Sequence, residues 1–408
     1  MEVAVSETLR ISRKFSQRAV MEAIIQNGPI SRASIAKQTG LSKQTISEIV
    51  RQLELDDWVR ETGRTSGHVG RTAVTYELVP DAAYIAAVDL GGTKIRLAIA
   101  DLACQVFAEE VVATDRRGGQ FVVDQIADLC GKAASHLNIP RERIRMAVIG
   151  APGAPDARTG RILLAPNIAD FDTMNVAAAF EKALGIDVIL ENDVNLAVLG
   201  ENWLGQGQGI DNLAFIAVGT GIGGGLMVGG QLVRGAMNAA GELGFLPFGA
   251  DPFDPESLRT GAFERVAASI GIMEHYAAAS GETADVREIF ERAARGDTHA
   301  AATLDETARY LARGISAIAA IANPEKVIMG GSIGLRPELI ERIRKFLPAC
   351  FPYPVDIEAS QLGPRAAIIG AAAIGLSHLH NALFGADAPD SRMSLPPAET
   401  VAFREELQ

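Results

Sequence analysis

Three glycine-bearing turns and one run of carboxylates and amides are the residues of this chain best suited to chemistry. Asp89-Leu90-Gly91-Gly92-Thr93-Lys94 joins two apolar runs. Its glycines let backbone N–H groups approach phosphate oxygens, Thr93 adds a hydroxyl donor, Lys94 adds a charge, and Asp89 offers a carboxylate to hold Mg²⁺ through water. Taken alone, such a turn also reads as an ordinary hairpin. Val218-Gly219-Thr220-Gly221-Ile222-Gly223-Gly224-Gly225 and Met329-Gly330-Gly331-Ser332 repeat the strand-then-glycine logic, and three such turns are hard to explain as hairpins alone. Between them, Leu190-Glu191-Asn192-Asp193-Val194-Asn195 follows an apolar run and opens a helical one. Asp193 reads either as a helix cap or as a general base that takes a proton from a hydroxyl attacking a phosphate.

A second constellation lies near the N-terminus. Ser31 caps a helix running to Gln38, Gly40 supplies the positive φ of a tight turn, and Ser42 caps a third helix running to about Leu55. That helix presents Ser42, Lys43, Gln44, Thr45 and Ser47 at its start, short polar groups suited to phosphates and base edges in a major groove. Ser31 and Arg32 open the preceding helix. Arg60, Arg64, His68 and Arg71 lie on a two-stranded wing formed by Trp58 to Leu78. The pattern predicts a winged helix-turn-helix that binds double-stranded operator DNA.

The surrounding elements must hold these groups in place. A first helix is expected from about Gln17 to Gln26, with Phe15, Val20, Ile24 and Ile25 on its apolar face. From residue 82 short apolar runs alternate with helical stretches near 121–137, 174–184, 193–203, 299–322, 336–346 and 365–382, which implies an α/β body. Hydrophobic residues make up 48% and charged residues 22% of the 408, an ordinary globular balance. Lys and Arg number 11 against 9 Asp and Glu in residues 1–80, and 27 against 41 in the remainder, so a head of net +2 precedes a body of net −14. The acidic total argues against non-specific coating of nucleic acid, while phosphate contact by the head remains a local matter. No run of about 18 apolar residues or signal peptide is seen, so no membrane partner is expected. Cys104, Cys130 and Cys350 are widely spaced and odd in number, which points to a reducing cytoplasm.

These residues together resemble the ROK family (repressors, open reading frames and kinases) over about residues 10–382. The winged helix-turn-helix, Asp89 to Lys94, Gly150-Ala151-Pro152-Gly153, Pro166-Asn167, Glu191-Asn192-Asp193, Gly219-Thr220-Gly221 and Gly241-Glu242-Leu243-Gly244 occur in family order. The resemblance implies an actin-like, ribonuclease-H-like, sugar-kinase-type body of two lobes behind the head. It implies a domain order of 11–80 for the head, 81–195 plus 363–382 for the first lobe, 196–362 for the second, and a poorly ordered tail from 383 to 408. It places Asn167, Asn192, Asp193, Glu242 and Glu264 as sugar ligands, with Asp193 also the base of any kinase reaction. Asp89, Gly91, Gly92, Thr93, Lys94, Gly219, Thr220, Gly221, Gly330 and Gly331 become nucleotide-binding residues for Mg-ATP. One departure is plain. The family carries His after its Gly-Glu-x-Gly and then a cysteine cluster for structural zinc. Here position 245 is Phe and no cysteine lies between Cys130 and Cys350, so no structural zinc is expected and no residue is assigned as a ligand of a resident metal. Phe245, Phe248 and Phe253 are expected to fill that space.

Two functions follow as expectations. The first is a sugar-responsive regulator, a repressor needing no cofactor to bind DNA and working as a homodimer, because one recognition helix is too little for tight specific binding. The second is an ATP-dependent sugar kinase carrying a DNA-binding head.

Overall fold

Local capping chemistry builds the head. The computed structural model describes residues 2–66, 72–164, 168–384, 395–398 and 401. In it, α1 (Glu2–Asn27) is followed by β1 (Ile30–Ser31), α2 (Arg32–Thr39) and α3 (Lys43–Leu55). Ser31 Oγ accepts from Ser34 N–H at 3.2 Å and Ser42 Oγ from Thr45 N–H at 3.1 Å, so each hydroxyl satisfies a donor that a first helical turn leaves unpaired. Gly40 ends α2 at φ 70° and donates to Ala36 O at 3.0 Å, a left-handed cap that glycine adopts without steric penalty. Val20, Met21, Ile24, Ile35, Ile46, Val50 and Leu53 are buried as the head's core. The wing is an antiparallel pair, β2 (Val59–Ser66) and β3 (Thr72–Leu78), with β1 along the outer edge of β3. Two expectations change. The first helix begins at Glu2 rather than Gln17, because nothing in between breaks it. Phe15, expected on its apolar face, is 46% exposed.

The chain divides into two compact units. One comprises Met1–Ile149, Ala177–Ile189 and Ala371–Gln408, the other Gly150–Val176 and Leu190–Gly370. These bounds differ from the expected lobes: residues 150–176 and 190–195 pack with the second unit. Asn192 ties itself there to Gly153, and Val194 packs there against a glycine-lined strand.

The first unit joins the head to a five-stranded sheet. β4 (Tyr84–Leu90) and β5 (Lys94–Asp101) form an antiparallel hairpin through the Gly91-Gly92 turn, and β6 (Val106–Ala113) extends it. After α4 (Gly119–His136) come β7 (Ile144–Ala151), the short hairpin β8 (Ala154–Asp156) and β9 (Arg161–Leu163), α5 (Val176–Leu184) and β10 (Asp187–Asn192). The strand order is β10-β7-β4-β5-β6. Trp58 of the head meets Phe384 edge to face at 5.4 Å. Leu395 to Ala398, expected within a poorly ordered tail, are placed beside the head, where Leu395 O accepts from Gln26 Nε2 at 2.5 Å and Pro396 is buried. The rest of that tail beyond Phe384, except Val401, lies outside the described residues.

The second unit opens with α6 (Asp193–Leu204) and a five-stranded sheet of β11 (Leu213–Val218), β12 (Ile222–Val228), β13 (Gln231–Leu232), β14 (Lys326–Gly330) and β15 (Asp356–Ala359), ordered β13-β12-β11-β14-β15. β11, β14 and β15 run parallel, and β12 turns back antiparallel along β11. Gly223, Gly224 and Gly225, expected in a loop, therefore belong to a strand. A Cβ at Gly223 would sit 2.7 Å from Val194 Cγ2, and one at Gly225 2.6 Å from Val194 O, so these glycines let α6 lie directly on β12. The remaining elements are α7 (Pro255–Thr260), α8 (Glu264–Ala267), α9 (Ser269–Ser280), α10 (Val286–Ala294), α11 (Thr298–Ala322), α12 (Gly331–Gly334) and α13 (Pro337–Phe346). Phe263, Ile272, Tyr276, Phe290, Leu311 and Ile315 belong to the core between the longer of these helices and the sheet.

One finding qualifies the reading of the apolar runs. The stretch Gly363–Phe384, which includes α14 (Ala366–Phe384), is long and apolar enough to cross a membrane by length and composition, yet 67% of its apolar window is buried inside the protein. Its glycines show why it packs as a core helix. A Cβ at Gly375 would sit 2.6 Å from Ile85 Cγ2 and 3.1 Å from Val148 Cγ2, an approach only a bare backbone permits.

Candidate sugar site and DNA-binding head

Asp193 begins α6, directly after the cap. Asn192 Oδ1 accepts from Val194 N–H at 2.9 Å and Asn195 N–H at 3.0 Å, and Asn192 Nδ2 donates to Gly153 O at 3.0 Å. The cap role that the sequence allowed for Asp193 is thus taken mainly by Asn192, and Asp193 Oδ1 shares it by accepting from Val194 N–H at 2.9 Å. Asn192 keeps little capacity beyond one amide hydrogen. Burial pushes the Asp193 carboxyl up to about 6.

Glu242 and Glu264 join it within the second unit. Burial pushes Glu242 up to about 7, and the charges of Asp193 and Glu264 push in the same direction. Burial also raises Glu264, opposed by the Ile222 N–H that donates to its Oε2 at 2.7 Å. Gly221 makes that bond possible, because a Cβ there would sit 2.5 Å from Glu264 Oε2. Three carboxyls raised by burial, Glu242 also by the charges of the other two, form a site of strong acceptors. Such a site suits neighbouring hydroxyls and penalises an analogue that leaves an acceptor unpaired. Asn167 and the adjoining Pro166 lie outside the described residues.

Two of the three glycine turns meet in this unit. β11 and β14 are parallel neighbours, so Gly219–Gly221 and Gly330–Gly331 emerge at the same ends of adjacent strands. Ser332 Oγ is 3.5 Å from where a Cβ on Gly219 would be. Ligands of open α/β sheets gather at such carboxyl ends. Asp89, Gly91, Gly92, Thr93 and Lys94 belong to the first unit. There the turn is a hairpin as well as a candidate phosphate loop, held by Thr114, whose Oγ1 donates to Gly91 O at 2.7 Å.

The segment after Gly244, expected to be filled by phenylalanine packing, is held differently. Phe248 does pack, its ring 5.0 Å from that of Phe263. Phe245 and Phe253 do not, being 37% and 88% exposed. Polar contacts close the loop instead. Asp254 caps α7 by accepting from Glu256 N–H at 2.9 Å and pairs with Arg265 at 3.0 Å, and Arg265 also donates to the buried Ser257 Oγ at 2.8 Å. Among the described residues, no group of three or more His, Cys, Asp or Glu is placed to hold a metal. Asp254→Ala removes both the cap and the ion pair, and is expected to lower the melting midpoint by a few degrees.

In the head, the candidate DNA contacts separate by role. Arg32 lies over the Tyr76 ring at 4.8 Å and pairs with Glu54 at 3.3 Å, so it ties α2 to α3 and the wing. Ser31 is committed to its cap and to Ser34 Oγ at 3.0 Å. Ser42 and Thr45 bond each other at 2.8 Å, and Ser47 Oγ donates to Lys43 O at 2.8 Å. Lys43 and Gln44 are exposed at the start of α3. Arg71 and His68 lie outside the described residues, as does the side chain of Arg64.

Some organising residues escaped the sequence reading. Glu191 is buried and accepts from Asn192 N–H, Asn195 Nδ2 and Arg234 Nε. The Glu191/Asn195 spacing of four was a readable hint, whereas Arg234 gave none.

A DNA-binding head and a phosphotransferase-type α/β body on one chain define the class, a kinase-like regulator. Comparison with known families makes it particular: residues 85–377 match the ROK family and residues 16–60 match a winged helix-turn-helix DNA-binding family, so the chain belongs to the ROK family. A xylose repressor from Caldicellulosiruptor bescii is 27% identical over 392 residues, spanning 90% of this chain and 96% of its own. A glucokinase from Halalkalibacterium halodurans is 31% identical over 308 residues, 69% of this chain and 92% of its own. Among solved structures, a ROK family transcriptional regulator, homologous to the E. coli MLC protein, matches with a TM-score of 0.74 and 24% identity over 92% of this chain and 98% of its own, which is a likeness of fold.

Proposed function

We propose that this protein is a sugar-responsive transcriptional repressor. Its head binds operator DNA, and Asp193, Glu242 and Glu264, with Asn167 and Asn192, bind the sugar. The observation that carries this reading is the pairing, on one chain, of an intact capped helix-turn-helix with a cluster of raised-pKa carboxyls on a kinase-type body. The similarity to a xylose repressor across head and body supports it. Sensing requires that sugar favour one arrangement of the body and that this arrangement alter how two heads meet DNA. We therefore take the working form to be a homodimer on a palindromic site, in the cytoplasm. The test is an anisotropy titration of full-length protein on an operator obtained by in vitro selection, at fixed salt. Added D-xylose or D-glucose is expected to lower operator affinity by roughly tenfold or more. An affinity that no sugar in a broad panel changes would overturn the reading.

A second reading, sugar phosphorylation, is favoured by a specific observation. Burial raises the Asp193 carboxyl to about 6, in the unit that also carries the paired loops Gly219–Gly221 and Gly330–Gly331, and the glucokinase relative matches 69% of this chain. Backbone N–H groups of these loops would hold the phosphates of Mg-ATP and Asp193 would take the hydroxyl proton. Sugar-dependent ADP release that Asp193→Asn abolishes would establish it.

A further inference from the structure

The sugar site is assembled from three backbone segments that the hydrophobic core does not hold together by itself. No residue from Val228 to Glu242 is fully buried, and the loop that delivers Glu242 starts from Leu232, which packs partly buried against the core. Beyond Leu232 it is held by polar contacts. Arg234 Nε donates to Glu191 Oε2 at 2.7 Å, and Asn238 Nδ2 donates to Pro155 O at 2.7 Å. Asn192 Nδ2 donates to Gly153 O at 3.0 Å. These bonds close a ring. Residues 191–192 are tied to 153, residues 153–155 to 238, and the 234–238 loop back to 191. Two members of the ring lead directly to proposed sugar ligands: Glu191 to Asp193, and the 234–238 loop to Glu242.

Glu191 is the centre of the ring. It is 4% exposed, and its Oε1 accepts from Asn192 N–H and Asn195 Nδ2, both at 3.0 Å. A buried carboxylate with this many donors is fixed in position. It therefore transmits the position of α6 to Arg234. The loop is closed at its far end too, where Ala240 N–H donates to Arg234 O at 3.1 Å and Gly241 O accepts from Gly224 N–H at 2.8 Å.

We infer that Glu191, Arg234 and Asn238 are positioning residues that set the affinity and the selectivity of the sugar site proposed above, on which this inference rests. They touch the ligand segments rather than the sugar. Selectivity among sugars depends on acceptors held where one set of hydroxyls reaches them and another does not, and a displacement of about 1 Å is enough to cost a hundredfold.

The test uses full-length protein and two probes, D-glucose and D-xylose, titrated calorimetrically against wild type, Asn238→Gly, which keeps the left-handed backbone at φ 54°, and the double variant Glu191→Gln/Arg234→Met. The double variant avoids leaving a buried charge without its partner. Both variants are expected to bind the preferred sugar at least about tenfold more weakly and to lose most of the preference between the two. Sugar-free operator affinity is expected to be unchanged, and the melting midpoint to stay within about 2 °C of wild type. A merely structural role would lower the midpoint and leave the preference intact, and that result would overturn the inference, as would wild-type affinities in both variants. If wild-type protein binds neither sugar nor any other of the panel, the proposed sugar sensing fails and the ring falls with it. If wild type binds and the variants match it, the ring alone fails.

Discussion

Replacing Lys43 and Gln44 together with alanine is expected to lower specific operator affinity by at least about a hundredfold while leaving sugar affinity unchanged. Both side chains are exposed at the first turn of α3, and the hydrogen bond from Gln44 Nε2 to Glu48 Oε1 at 3.2 Å lies on the same exposed surface. The helix itself is held from elsewhere, by the Ser42 cap at its start and by Ile46, Ile49, Val50 and Leu53 on its buried face. The double variant therefore removes DNA contacts without unfolding the head. A glutamine amide is suited to bidentate contact with adenine, and such a pair is worth about 1–3 kcal/mol of discrimination. A lysine adds a phosphate or guanine contact and one released counterion per head. In the homodimer proposed above, two heads on one operator would double both effects. Anisotropy titrations at several salt concentrations test the attribution, because loss of Lys43 as a phosphate contact also reduces the salt slope by about one per head. The contrast is Arg32→Ala. Arg32 holds α2 to Glu54 and Tyr76, so its loss is expected to weaken the head's stability as well as its binding. Wild-type operator affinity in the Lys43/Gln44 double variant would place recognition on another surface.

The head could be read from sequence because its determinants are local. Ser31, Gly40 and Ser42 each act within four residues of themselves, through a cap bond or a φ angle, and such signals survive without knowledge of the rest of the chain. The body was legible as α/β for the same reason, from apolar runs alternating with helical ones. What escaped depended on distant contacts. Gly223 to Gly225 read as a loop because three glycines are poor strand formers, yet they form β12 because α6 lies on them. Phe245 and Phe253 read as core because they are phenylalanines standing where ligands were missing. In the structure Asp254 and Arg265, eleven residues apart, close that segment by charge instead. Asp193 was legible from its place where an apolar run opens a helix, whereas Glu242 and Glu264 were legible only through family order. Arg234, separated from Glu191 by 43 residues, carried no pattern that periodicity or spacing could expose. Its role follows from burial and distance alone.

The second large effect concerns Asp193 and pH. Burial raises Asp193 to about 6, and burial with two neighbouring carboxyls raises Glu242 to about 7, whereas unfolded carboxyls titrate near about 4. A folded value above the unfolded one means that the folded state favours the proton. The contribution of these groups to stability is therefore fully present below about pH 4 and is lost as pH rises through 6 and 7. Sugar binding has the opposite sign. Hydroxyls donate best to ionised carboxylates, so bound sugar favours release of those protons, and affinity is expected to rise by up to about tenfold per pH unit in the same window. Calorimetric titrations between about pH 5.5 and 7.5 read this directly, and melting midpoints without sugar are expected to fall over that range. Asp193→Asn removes one of the two titrations and the strongest acceptor at the head of α6. It is expected to weaken sugar binding by about ten- to a hundredfold and to leave a shallower pH dependence belonging to Glu242. Because the carboxylate is gone but the Asn192 cap that forms α6 is untouched, the variant should fold and bind operator as wild type does while failing to respond to sugar. That combination, an intact DNA-binding protein blind to its effector, separates a role in sensing from a role in folding. A variant that kept wild-type sugar affinity and pH dependence would remove Asp193 from the site and leave Glu242 and Glu264 to account for it.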